Sequence, residues 1–246
     1  MALEIAWIIV GVLIVIVGLV SGITGIWLTV KYFRFNRREN SLGLTGMQIA
    51  RKILDDNGLE HIKVKRTGSL LFGNSYSHYF KKVRLRGLIR HETSITSMGL
   101  GAQKAALAIL DKEGDADMKK RIRLVPMITF GPFAFIPLIL IGAALDFFVF
   151  NASGVCTLVL GAIGLLFYVY AIVLSVLTLK TEKKAQNRAY DILEREYHIT
   201  SDELSALKEL FRLYNIQYVN DIILSSLELL YTLLEIAIAV KGNVDN

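Results

Sequence analysis

The 246-residue chain has little of the material from which sites are usually built: one cysteine, four histidines and three prolines. The single Cys156 excludes an intrachain disulfide and any Cys-rich zinc ribbon or iron–sulfur centre. Four scattered histidines leave little for a metal site made of imidazoles alone. No Ser–His–Asp order, Gly-rich phosphate loop or C-x-x-C pair is present, so those catalytic classes find no support. Internal repeats and low-complexity tracts are absent as well. What the chain has is apolar length. Hydrophobic residues make up 53% of it and its mean hydropathy is +0.47, which excludes a disordered or collagen-like chain. The formal charge is +6, but the basic residues sit beside apolar runs, where membrane topology explains them better than nucleic acid does.

Residues 5–30 contain no charge and carry Trp7 and Trp27 near their ends. At 1.5 Å per residue such a run covers a hydrocarbon core of about 30 Å with room to tilt. Only Glu4 precedes it, and Lys31, Arg34, Arg37 and Arg38 follow, so it reads as an anchor rather than a cleaved leader, with its C-terminal end cytoplasmic. Residues 127–150, with the lone charge Asp146, and residues 157–179, with none, form an expected span hairpin across Asn151-Ala152-Ser153-Gly154. The last apolar stretch, 222–240, contains Glu228 and Glu235, seven apart and hence on one helix face. It either spans with that face against protein or lies in the interface, and spanning is favoured. Residues 31–125 carry 20 Lys/Arg against 9 Asp/Glu, and residues 180–213 carry seven of each. Both segments are therefore expected on the cytoplasmic side.

Thr45-Gly46-Met47-Gln48 has the spacing of a capping box, and Met47, Ile49, Ala50, Ile53 and Leu54 make an apolar stripe at helical spacing until Asn57-Gly58. Residues 62–65 and 83–86 alternate as strands do, with turn residues Gly68, Gly73 and Asn74 between them. Residues 94–110 predict a helix rich in Ala and Leu, stopped near Gly114. Residues 181–196 predict another. Thr200-Ser201-Asp202-Glu203 opens a third with a second capping box. The last two are amphipathic and suit either the sheet or the membrane surface. His91-Glu92-Thr93-Ser94-Ile95 misses H-E-x-x-H by its last residue. His78 reads as a packing residue, and His61 and His198 as turn or surface residues.

Several pieces in this order resemble the membrane-bound neutral zinc metallopeptidases of bacteria, the YugP-type family. The likeness is carried by Leu44-Thr45-Gly46 with Ala50 and Ile53-Leu54, Lys82-Val83-Arg84-Leu85, and Ser94-Ile95 with Gly99. It continues through Arg123-Leu124-Val125-Pro126, Ile136-Pro137-Leu138-Ile139, and Glu182 with Ala185, Arg188-Ala189 and Leu193. The resemblance implies a mainly α membrane protein of three to four transmembrane helices with a small α+β zincin-like cytoplasmic domain between spans one and two. The implied order is an anchor at 1–30, the domain at 31–125, a hairpin at 126–180, amphipathic helices at 181–213 and a C-terminal helix at 214–246. It also implies a multi-pass protein of the bacterial inner membrane.

In that family an H-E-x-x-H helix holds zinc with two imidazoles and supplies a glutamate base, and a carboxylate after the hairpin is the implied third ligand. Alignment from Ser94 through Gly99 places the motif on Gln103-Lys104-Ala105-Ala106-Leu107, and the third ligand on Glu182. Gln103 is a neutral amide, Lys104 a cation that repels a metal, and Leu107 has no lone pair. The expectation is a non-catalytic homologue with no cofactor, in which Lys104 pairs with Glu182. Otherwise Glu182 meets Lys183 or Arg188 at the surface. The expected partners are the lipid bilayer and another membrane protein, such as an active relative, or an extended segment captured on a strand edge, with no nucleic acid. The competing reading is an active zinc peptidase using other ligands.

Overall fold

The computed structural model describes residues 2–67, 73–128, 131–150 and 154–244. The Asn151–Ser153 part of the expected turn, and Gly68, lie outside the described residues. The chain is mostly helical with one small mixed sheet. In order come α1 (Ala2–Asn36), α2 (Gly46–Asp56), β1 (Lys63–Arg66), β2 (Ser75–Ser77), β3 (Lys82–Leu85), α3 (Gly87–His91), α4 (Ile95–Lys112) and α5 (Ala116–Ile128). Then follow α6 (Gly131–Leu145) with a π-turn at Asp146–Phe150, α7 (Val155–Asp191) with a π-turn at Ile192–Glu196, and α8 (Ser201–Val244).

Two helices among the described residues are long and apolar enough to cross a membrane, α1 and the Val155–Glu196 helix. Only 6% and 11% of their most apolar windows are buried, which is far from the core helix of a soluble domain. A shorter apolar helix covers Pro137–Val149. The expected break between the 157–179 run and the helix after it does not occur. Residues 165–191 contain neither Gly nor Pro, so nothing stops the helix when its side chains turn polar. The same reasoning makes α8 one helix of 44 residues that passes straight through position 214.

The chain divides into two compact units. The first holds Met1–Ser21, Arg123–Leu177 and Val219–Asn246. Within it Trp7 stacks on Tyr231 with centroids 5.0 Å apart, beside Gly11, whose lack of a side chain leaves room for that ring. Asp146, the lone charge of the second apolar run, accepts from the Cys156 and Thr157 amides at 2.9 and 2.8 Å and from the Thr157 hydroxyl at 2.7 Å. It thus satisfies free amides in the first turn of α7. Gly142 lies against the Cys156–Thr157 backbone, where a Cβ would stand 2.6 Å from Thr157 Cα. Glu228 and Glu235 are both exposed, and the Tyr168 hydroxyl reaches Glu228 at 3.5 Å.

The second unit holds Gly22–Ile122 and Thr178–Tyr218. Its sheet has the order β1-β3-β2, with β1 parallel and β2 antiparallel to β3 and Val64 opposite Val83. Thr45 and Gln48 form the expected capping box, and Gly58 stops α2 at φ +64°. Ser94 caps α4 through the Ser97 amide. The α7 residues Ala185, Ala189 and Leu193 and the α8 residues Leu207, Leu210 and Phe211 are buried in one core with α2 and α4. The two amphipathic helices therefore use their apolar faces inside the protein. Three elements were not expected. β2 is three residues without an alternating apolar pattern, α3 is little more than a turn, and α5 is charge-rich. Asp115, directly after Gly114, accepts from the Asp117 and Met118 amides and opens α5, a capping signal that the run of charges obscured.

The second capping box does more than start a helix. Glu203 accepts from the Thr200 amide and hydroxyl, both at 2.9 Å, and from the Ser41 amide and hydroxyl at 2.6 and 2.7 Å. Burial would raise its carboxyl pKa, but these four donors hold it below the usual range. Glu203→Ala removes the buried acceptor shared by donors on the exposed residues Ser41 and Thr200 and is expected to cost about 1–2 kcal/mol, read as a lowered melting temperature of the purified chain. An effect under about 0.5 kcal/mol would show that the loop before α2 does not depend on this anchor.

Candidate functional site

α4 is buried along its whole length from Ile95 to Leu110. Small residues make this possible. Gly101 meets the backbone of Gly46, and Gly99 faces Leu207, so neighbouring helices approach closely on two sides. A helix buried all round has no solvated face for polar side chains, so Gln103 and Lys104 must find partners indoors.

They find Glu182. Lys104 Nζ donates to Glu182 Oε2 at 2.7 Å, and Gln103 Nε2 donates to the same oxygen at 2.9 Å. The Lys104 and Glu182 side chains are 9% and 16% exposed. Arg121, from α5, donates to Glu182 Oε1 at 3.1 Å and to the Thr181 hydroxyl at 2.9 Å. Burial by itself would push the Glu182 carboxyl up. The charges of Lys104 and Arg121, with their hydrogen bonds, outweigh it and hold the carboxyl below the usual carboxylate range. The expected Lys104–Glu182 pair is thus present, and the surface alternatives are not: Arg188 pairs with Glu113, and Lys183 is exposed. Leu107, four residues from Gln103, is fully buried in the apolar core.

A cavity of about 410 Å³ opens beside this cluster. Gln103, Lys104 and Glu182 form one wall, and Tyr32, Arg86 and Tyr214 contribute to the rest. Gln186 and Asn215 close one side, each donating its amide to the other at 3.1 and 2.7 Å. Burial pushes the Tyr32 and Tyr214 phenols up, against the opposing pull of the nearby Arg86 charge, so both stay protonated.

The histidines lie elsewhere. His91 ends α3 and is exposed, as are His61 and His198. His78 Nδ1 lies 2.6 Å from Asp111 Oδ2, which also accepts from the Tyr76 hydroxyl at 2.6 Å. These contacts tie β2 and the turn after it to the end of α4. Among the described residues no three His, Cys, Asp or Glu side chains gather as a metal would require. The donors around Glu182 are an amide, an ammonium and a guanidinium, all directed at the carboxylate with hydrogens rather than lone pairs. That set does not fit zinc. Arg121 and the Tyr76–Asp111–His78 group are what a reading along the chain misses. Arg121 lies 61 residues from its partner, in a helix not expected from the sequence.

Comparison with known proteins agrees with the resemblance. The profile of the family described as "Putative neutral zinc metallopeptidase" matches residues 8–237. A Bacillus subtilis (strain 168) protein named "Putative membrane protease YugP" is 25% identical over 200 residues, covering 81% of this chain and 84% of that protein. No solved structure matches.

Proposed function

We propose that this chain, which belongs to the neutral zinc metallopeptidase family, is a non-catalytic member that works in the membrane by binding. One observation carries the reading. The carboxylate expected to complete the metal site is instead neutralised by Lys104 and Arg121 and hydrogen-bonded by Gln103. Gln103, Lys104 and Leu107 are, in this reading, the degenerate counterparts of ligand, base and ligand. The pair links α4 to α7 where chemistry would otherwise occur.

The topology proposed with it is multi-pass in the cell membrane, with three spans and a fourth at 222–240, and residues 31–125 and 180–213 on the cytoplasmic side. Both apolar helices and the basic excess of 31–125 support it. The partner proposed is another membrane protein, either an active relative or one whose extended segment adds to an edge of the sheet. β1 and β2 are both edge strands, which supports the second form.

The relative's name, a membrane protease, favours the competing reading of an active zinc enzyme. The two separate in one experiment on the purified full-length chain. Metal is measured by plasma mass spectrometry, and cleavage of unfolded casein is followed with and without a chelator. The expected result is zinc well below one per chain and no chelator-sensitive cleavage. Stoichiometric zinc, lost together with cleavage on chelation, would sink the non-catalytic reading.

A further inference from the structure

The cavity beside Glu182 has the chemistry of an anion receptor, and every residue lining it belongs to the second unit. Arg86 reaches it from the N-terminal end of α3 and, among the described residues, makes no salt bridge. Lys104 lines it too, Glu182 is the single carboxylate among the lining residues, and Arg121 holds the other oxygen of that carboxylate, so positive charge exceeds negative around the cavity. Tyr32 and Tyr214 add two protonated phenols. A guanidinium fork, an ammonium and hydroxyl donors are what a phosphate oxygen cluster requires. The surroundings extend the field. Residues 61–91, which include Arg86, carry eight Lys/Arg and no Asp or Glu.

Chain position indicates where such a phosphate comes from. Tyr32 follows the apolar run 5–30 by two residues, about 3 Å of helix rise. Thr178 and Leu179, which also line the cavity, are the last residues of the apolar run 157–179. The headgroup layer is about 5–7 Å deep on each side of the hydrocarbon core, so these residues stop at its level. Tyrosine at that level is the usual interfacial residue.

We propose that this cavity binds the phosphate of an anionic phospholipid headgroup, gripped by Arg86 and Lys104 with the Tyr32 and Tyr214 hydroxyls. It rests on the reading that the cleft is not a metal centre, and zinc measured on the same sample tests that reading separately. A free phosphate offers the same oxygens, so the experiment must separate the two sources.

The full-length chain in mild detergent is mixed with equal amounts of phosphatidylglycerol and phosphatidylcholine, and bound lipid is counted by native mass spectrometry. Wild type is expected to retain one phosphatidylglycerol in clear preference. Arg86→Gln should lower that retention about fivefold, the effect of one basic residue on an anionic lipid. Tyr32→Phe keeps the ring and should weaken retention less. Arg84→Gln removes a basic charge two residues away, on β3 and not among the cavity's lining residues, and should leave retention unchanged. Equal retention of the two lipids, no effect of Arg86→Gln, or an equal loss in Arg84→Gln would overturn the proposal. Displacement of the lipid by about 10 mM inorganic phosphate would assign the cavity to free phosphate and equally overturn it.

Discussion

Lys104→Ala is expected to destabilise the protein by about 2–3 kcal/mol, because it strands a buried carboxylate with one cation instead of two. This is less than the usual cost of breaking a buried pair because Arg121 stays on the other oxygen of Glu182. Lys183→Ala, an exposed neighbour of Glu182, should change stability by less than about 0.5 kcal/mol. Lys104→Met keeps most of the stem and removes only the charge, which separates lost packing from lost pairing. The pH dependence has a defined sign. Glu182 has its folded pKa below its ordinary value of 4.5, so its contribution is complete above that pH. It is lost as pH falls through the lowered folded value. The gap between wild type and Lys104→Ala should therefore be widest near neutral pH and shrink in acid. Denaturation in detergent at two pH values measures it, and a gap that stays constant or widens in acid would reject the ion pair as the cause.

Gly46→Val is expected to cost about 3 kcal/mol or more and to leave little folded protein. A Cβ at Gly46 would stand 2.2 Å from the Ile89 carbonyl oxygen and 2.7 Å from that of Ser97. Both are backbone atoms that cannot rotate aside. Gly101 shares the crossing, where a Cβ would lie 2.4 Å from the Gly46 oxygen. Opening this contact separates α2 from α4 and tilts the helix that carries Gln103 and Lys104. Gly22→Ala is the control. Nothing lies within 4 Å of its Cβ position, and alanine should stabilise the exposed helix by about 0.5–1 kcal/mol. Equal protease resistance of Gly46→Val and wild type would show that the crossing tolerates separation.

The elements written in local chemistry were legible. The capping boxes at Thr45 and Thr200, the Ser94 cap and the Gly58 stop each depend on residues within four positions of one another. The apolar runs were equally plain, since a bilayer-length segment needs only hydropathy and length. Helix ends inside charged sequence were not, because a change from apolar to polar side chains does not by itself stop a helix, and α7 and α8 run on. β2 and α3 had too few residues to show a period.

For the site, the sequence by itself determined the chemistry that positions 103, 104 and 107 can offer: an amide, a cation and an alkyl group, with no imidazole to join Glu182. It also suggested the partner of Lys104, since a carboxylate left without a metal needs a positive charge. Only the tertiary structure decided that the pair is buried, that Gln103 shares the same carboxylate oxygen, and that Arg121 holds the other. Those facts rest on three helices meeting across 61 to 79 residues of sequence. No local propensity encodes such a meeting. It follows from glycines that let backbones touch, and from the requirement that a charge removed from water be met by another.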